Sequence, residues 1–188
     1  MKTHAWRLVH ARWVESALSG EGASLYPGRW NRTGEPVVYL AGSLALAVLE
    51  TRVHLEATRI QQPYVALEYE LPEKIEHVSE LPQDWRENVE HTRYIGSRWL
   101  QSGASAALRV PSAIVPVEPV YLLNPRHPDA AKVRLLRQLE FAGASGFSKA
   151  TSRTTKAVNL FRLTAAQHEY VATPPDQGPR PHGDNYGR

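Results

Sequence analysis

The chain has 188 residues, 42% of them hydrophobic and 22% charged, which suits one soluble domain with a real core and leaves too little for two. It contains no cysteine, so disulfides, thiolate metal ligands and a cysteine nucleophile are excluded, and a cytoplasmic setting is expected. The net charge of +3 lies wholly in the last stretch: residues 1–147 carry 16 basic and 16 acidic side chains, and residues 148–188 carry 6 and 3. A folded face that grips nucleic acid is therefore not expected, nor is a membrane segment, since no apolar run approaches ~20 residues. The first residues, MKTHAWRLVHARW, have no apolar core of the kind a secretory signal needs.

Trp6 to Val9 reads as a first strand. Arg7 within it is either an edge residue whose stem covers the core or a guanidinium whose planar fork is aimed at phosphate. Residues 12–18 predict a weak helix, and SGEGAS at 19–24 predicts a loop. In LYPGRWNRTGEP (25–36), Pro27-Gly28 and Thr33-Gly34 mark turns. Arg29-Trp30-Asn31 lies between them, either as an anion-binding loop or as a surface loop with Trp30 tucked beneath it.

Val37 to Leu40 has the β-branched and aromatic content of a buried strand. Tyr39 is either a core aromatic or one whose hydroxyl faces a site. Ser43 is placed to cap the next helix. In LALAVLETRVHLEA, Leu46, Leu49, Val53 and Ala57 recur at helical spacing as a core-facing stripe. Glu50 falls on or beside that stripe, while Arg52 and Glu56 read as solvated charges. Carboxylates are seldom buried without a partner or a task, so a functional role is favoured over an ion pair with an arginine or His54.

Residues 64–71 (YVALEYEL) alternate like a half-exposed strand. Residues 72–85 are polar, with a turn near Pro82 and Asp84. Residues 86–100 predict a second long helix with Val89, Tyr94, Ile95 and Trp99 inward and Gly96 as a flaw. Ala107 to Val110 and Val117 to Leu123 read as strands, broken by Pro111, Pro116 and Pro119. Ser112 falls in one break. No G-x-S-x-G elbow surrounds it, so it is read as a turn residue or a substrate-holding hydroxyl rather than a nucleophile. Residues 124–133 turn into a helical start, and 133–141 form a last core element, helix or strand. The eight histidines show no metal-ligand spacing, so no metal site is expected. The reading is one domain over 1–147, with an atypical Gly/Ser/Pro-rich tail over 148–188 whose last ~18 residues are expected to be disordered.

The ordered series WR, S-G-x-G-A, G-R-W-N, V-Y-L and A-V-L-E over residues 6–55 resembles the RES-domain toxins, partners of Xre-type antitoxins. The likeness continues through VPSAIVP and YLLNPRHPDA to about residue 141. It departs at the end, where AGASGF follows Glu140-Phe141 in place of the family's F-x-F-D-P-R-L-like close. The resemblance implies an α/β (α+β), ADP-ribosyltransferase-like single domain that binds and degrades NAD. Phosphorolysis to nicotinamide and ADP-ribose-1″-phosphate is the implied reaction, with inorganic phosphate as co-substrate and no resident cofactor. Alternatives are hydrolysis, protein ADP-ribosylation, or an impaired module that only engages an antitoxin or nucleotide. A ribonuclease-type toxin is disfavoured by the neutral balance of residues 1–147. Carried over by motif, Arg29, Tyr39 and Glu50 are the catalytic candidates, and Arg7 and Ser112 the substrate-binding ones. Glu50 would hold the ribose and stabilise its developing positive charge. Arg29 and Arg7 would clamp phosphates, Tyr39 would stack on or orient the nicotinamide end, and Ser112 would bond the nicotinamide amide or a phosphate.

Overall fold

The computed structural model describes residues 2–54 and 63–141. The expectations for Val53's and His54's side chains, for Glu56 and Ala57, and for the tail lie outside these residues. The described strands are β1 (His4–His10), β2 (Val38–Ala41), β3 (Tyr64–Glu70), β4 (Ile75–His77), β5 (Ala107–Pro111), β6 (Pro119–Leu123) and β7 (Arg134–Phe141). The helices are α1 (Glu21–Leu25), α2 (Leu44–His54) and α3 (Val89–Ser102). The strands form one seven-stranded sheet in the order β4-β5-β6-β2-β1-β3-β7. Only β4 and β5 pair in parallel. None of the described helices is long and apolar enough to cross a membrane.

Strand pairing divides the side chains between two faces. Trp6 lies opposite both Ala41 and Glu68, and Arg7 opposite Leu67. Side chains alternate along a strand. One face therefore carries Ala5, Val9, Val38, Leu40, Val65, Leu67 and Tyr69, covered by Val14, Leu18, Ala130 and Val133. The other carries Ala41, Leu108, Val110, Val120 and Leu122, with Trp6, Leu8 and Tyr39 at its margin. Leu46 and Ala47 of α2, Trp99 of α3, and Trp30 and Trp85 pack on this second face. Ser43 caps α2 as expected, its Oγ accepting from Leu46 N at 3.1 Å.

Several local expectations give way to the long-range pairing. Residues 12–18 make only a 3-10 turn at Ala11–Trp13, and the expected loop at 19–24 contains α1. Ile75–His77 adds a short strand within a stretch read as a turn. Strand β3 is not half-exposed: six of its seven residues are buried, because β1 and β7 flank it and both faces are covered. Glu68 is only 5% exposed, held by Arg137 and by His4 at 3.1 Å. Those hydrogen bonds keep its carboxyl below the ordinary range. Leu49 and Tyr94, expected inward, are 39% and 54% exposed. The last element is an edge strand rather than a core one, with Leu135, Leu136 and Leu139 at 50%, 39% and 41% exposure.

Candidate functional site

Glu50 sits on α2, half-buried, and Ser112 lies just past the end of β5. Ser112 Oγ donates to Glu50 Oε1 at 2.7 Å. The same oxygen accepts from the backbone N–H of Ile114 at 3.1 Å and of Val115 at 3.0 Å. Its proton is thereby aimed at the carboxylate and its lone pairs are occupied. Ser112 is 1% exposed. The hydroxyl expected to hold substrate is thus engaged with Glu50 and with the backbone of its own turn.

Arg29 occupies the loop between α1 and β2. Its Nη1 donates to the carbonyls of Trp85 at 3.3 Å and Arg86 at 2.6 Å. Its guanidinium lies 5.8 Å from the Trp85 ring centre. Nε and Nη2 have no hydrogen-bond partner among the described residues. Arg29 and Glu50 form no ion pair there, yet each acts on the other's charge. Burial pushes the Glu50 pKa up, opposed by the Ser112 hydrogen bond and by Arg29. Burial pushes the Arg29 pKa down, opposed chiefly by Glu50 and then by Glu87 and Tyr39, while Arg86 adds to the fall. Each group is thus partly desolvated and within electrostatic reach of the other, with no ion pair between them among the described residues.

Tyr39 stands behind this pair. Its hydroxyl accepts from Trp30 N at 3.0 Å and donates to Asn31 Oδ1 at 2.8 Å. Burial pushes its pKa well up. Both directions of the hydroxyl thus serve the loop, while Tyr39 as a whole is half-buried. Asn31 is fully buried. Its Oδ1 also accepts from Gly28 N at 2.9 Å, and its Nδ2 donates to the carbonyls of Ala23, Arg32 and Glu35. The loop is closed around this one amide. Trp30 is tucked under the loop as one of the two readings expected, at 3% exposure, and Arg29 is half-buried.

Arg7 does not join the group. Strand alternation places it with Ala5 and Val9 on the sheet face opposite Tyr39. Arg7 is half-buried overall, but its Nη1 is shut off from water without an acceptor among the described residues, and burial pushes its pKa down, opposed by Tyr69. The structure thus does not bring Arg7, expected as a phosphate clamp, to the face that carries Tyr39. A desolvated guanidinium lacking full partners is destabilising relative to an apolar side chain of similar volume. Arg7→Met is therefore expected to stabilise the protein by about 1–2 kcal/mol and to leave the Arg29–Glu50 site unchanged. Thermal melting checks the first, and any activity assay of the second face checks the other; a fall in melting temperature contradicts the assignment.

Sequence reasoning missed three contributors: Trp85, which supplies a ring and a carbonyl to Arg29, and Thr92 and Gly96 of α3. An isolated Trp in the polar stretch 72–85 was the available signal for the first. No cluster of His, Asp or Glu suited to a metal occurs among the described residues.

The RES domain family model matches residues 4–143. The toxin Res of Photorhabdus laumondii is 41% identical over 151 residues, covering 77% of this chain and 97% of that protein. A Prs ADP-ribosylating toxin of Sphingobium is 41% identical over 144 residues, covering 71% of this chain and 89% of that one. Among solved structures, the M. tuberculosis MbcT–MbcA toxin–antitoxin complex has a chain that matches with a TM-score of 0.62 at 17% identity, over 88% of this chain and 90% of its own. That likeness speaks for the fold, a mixed α+β arrangement consistent with the ADP-ribosyltransferase-like type. With the match running from the first strand through the last, this chain belongs to the RES domain family.

Proposed function

We propose that the protein is the toxin of a toxin–antitoxin pair and cleaves the nicotinamide–ribose bond of NAD, with inorganic phosphate as the acceptor. The observation that carries this reading is the Glu50 carboxylate, held by Ser112 at 2.7 Å and within electrostatic reach of the Arg29 guanidinium. In NAD the nicotinamide ring nitrogen is cationic. Breaking its bond to the ribose carbon sends the electron pair to the ring, so nicotinamide leaves neutral and positive charge builds on the ribose. A carboxylate beside the ribose stabilises that charge, most strongly where water is partly excluded. A phosphate oxygen then bonds the same carbon, giving ADP-ribose-1″-phosphate. The Nε and Nη2 of Arg29, which have no partner among the described residues, suit a planar two-point grip on a phosphate group, of the dinucleotide or of the incoming acceptor. The relatives called toxins, one of them ADP-ribosylating, support chemistry at the same bond. The solved neighbour's complex supports an antitoxin partner, which we take to be of the Xre type. The test is incubation of the purified protein with NAD, with and without inorganic phosphate, and identification of the products. Nicotinamide with ADP-ribose-1″-phosphate is expected when phosphate is present. Nicotinamide with ADP-ribose under both conditions would make water the acceptor, and no nicotinamide under either overturns the reading.

A further inference from the structure

One face of α3 is committed to the loop that carries Arg29. Arg93 Nε donates to Gly28 O at 3.1 Å. Thr92 Oγ1 lies 2.8 Å from Arg29 O and 2.9 Å from Val89 O. Gly96 leaves no room above Trp30 O: a Cβ there would stand 1.7 Å from that oxygen. Three consecutive carbonyls, of residues 28, 29 and 30, are thus met one after another by residues 93, 92 and 96. Ser97 Oγ closes the series by donating to Glu35 Oε2 at 2.8 Å.

Thr92 is the member that touches Arg29 itself. It is fully buried. A buried threonine on a helix can bond back to the preceding turn, here Val89 O. Its single hydroxyl proton is here divided between that carbonyl and Arg29 O, 63 residues away in sequence, a contact that helix formation does not need. We propose that Thr92 is a positioning residue: its hydroxyl fixes the Arg29 backbone so that the guanidinium meets the carbonyls of Trp85 and Arg86 within electrostatic reach of Glu50. The proposal rests on the NAD-cleaving reading for its consequence and on the geometry alone for its cause.

The experiment separates the two. Thr92→Val keeps the shape and removes the hydroxyl, and Thr92→Ser keeps the hydroxyl. NAD cleavage and the Arg29 Nε–Hε resonance are measured for the full chain and both variants. The valine variant is expected to melt within a few degrees of the parent, to lose about tenfold or more in kcat/KM, and to show a displaced Arg29 signal. The serine variant is expected to match the parent in both. A valine variant that keeps its rate overturns the proposal, as does a rate loss with the Arg29 signal unmoved. Should the valine variant fail to fold, the serine variant decides, since loss of rate or displacement of the signal in it overturns the hydroxyl's role. A parent that releases no nicotinamide sinks the NAD reading; the Arg29 signal then still tests the positioning.

Discussion

Replacing Glu50 by glutamine is expected to lower NAD cleavage about 10²–10³-fold, the range found when a single charge-stabilising group is removed from an active site, while raising thermal stability at neutral pH. The two effects share one cause. Burial raises the pKa of Glu50 in the folded protein, so the folded state holds this proton at pH values where the unfolded chain has already released it. Stability therefore falls as pH rises from the ordinary carboxylate range through the raised value. Glutamine removes that dependence and its associated penalty. The same shift places the acid limb of the parent's activity above the ordinary glutamate value of ~4.3, because activity requires the carboxylate. Initial rates of nicotinamide release against pH, with melting curves for both proteins, check all three statements. A glutamine variant that consumes NAD at the parental rate removes the carboxylate from the mechanism.

Gly96→Ala carries the second large expectation, and its sign is diagnostic. In a helix interior alanine is favoured over glycine by about 1 kcal/mol, so elsewhere on α3 the change would stabilise. Here the added methyl carbon would meet the Trp30 carbonyl oxygen at 1.7 Å and its carbon at 2.8 Å. Both are backbone atoms and cannot rotate aside. Either α3 or the loop must retreat by more than an ångström. The expected loss is about 3 kcal/mol, at the upper end for overpacking, or a melting temperature lower by roughly 6–12 °C in a chain of this size. Because the displaced carbonyl neighbours Arg29, any activity of the surviving folded fraction falls as well. A variant that melts at or above the parent contradicts the close packing of helix and loop.

Gly96 also marks where local sequence reasoning stops. Read along the chain it is a weakness in a helix. Its purpose appears only when a loop from 66 residues earlier is laid against it. Thr92 is hidden for the same reason, since a threonine inside a helix carries no local sign of a distant partner. Glu50 stood out because an acid beside an apolar stripe is costly unless used, and α2 packs on the sheet through Leu46 and Ala47 although Leu49 of that stripe is exposed. Arg7 was half legible. Alternation groups it with Ala5 and Val9, but which face the cleft occupies depends on the pairing of β1 with β2 and β3. Strand β3 misled for a related reason: its alternating glutamates read as solvent-facing until β7 supplies Arg134 and Arg137 beside them. Ser112 and Tyr39 were located by motif, but the direction in which each hydroxyl points is set by neighbours that no motif encodes.

The fastening of residues 28–31 to Tyr39 on one side and to α3 on the other has a consequence for how a ligand is met. An arginine on an untethered loop must surrender backbone and rotamer freedom at every encounter, and each immobilised side chain of that kind weakens association by about 0.5–1.5 kcal/mol. Here the backbone of Arg29 has lost that freedom once, when the chain folded. The Arg29 backbone is thus set in place by folding, before any ligand is met.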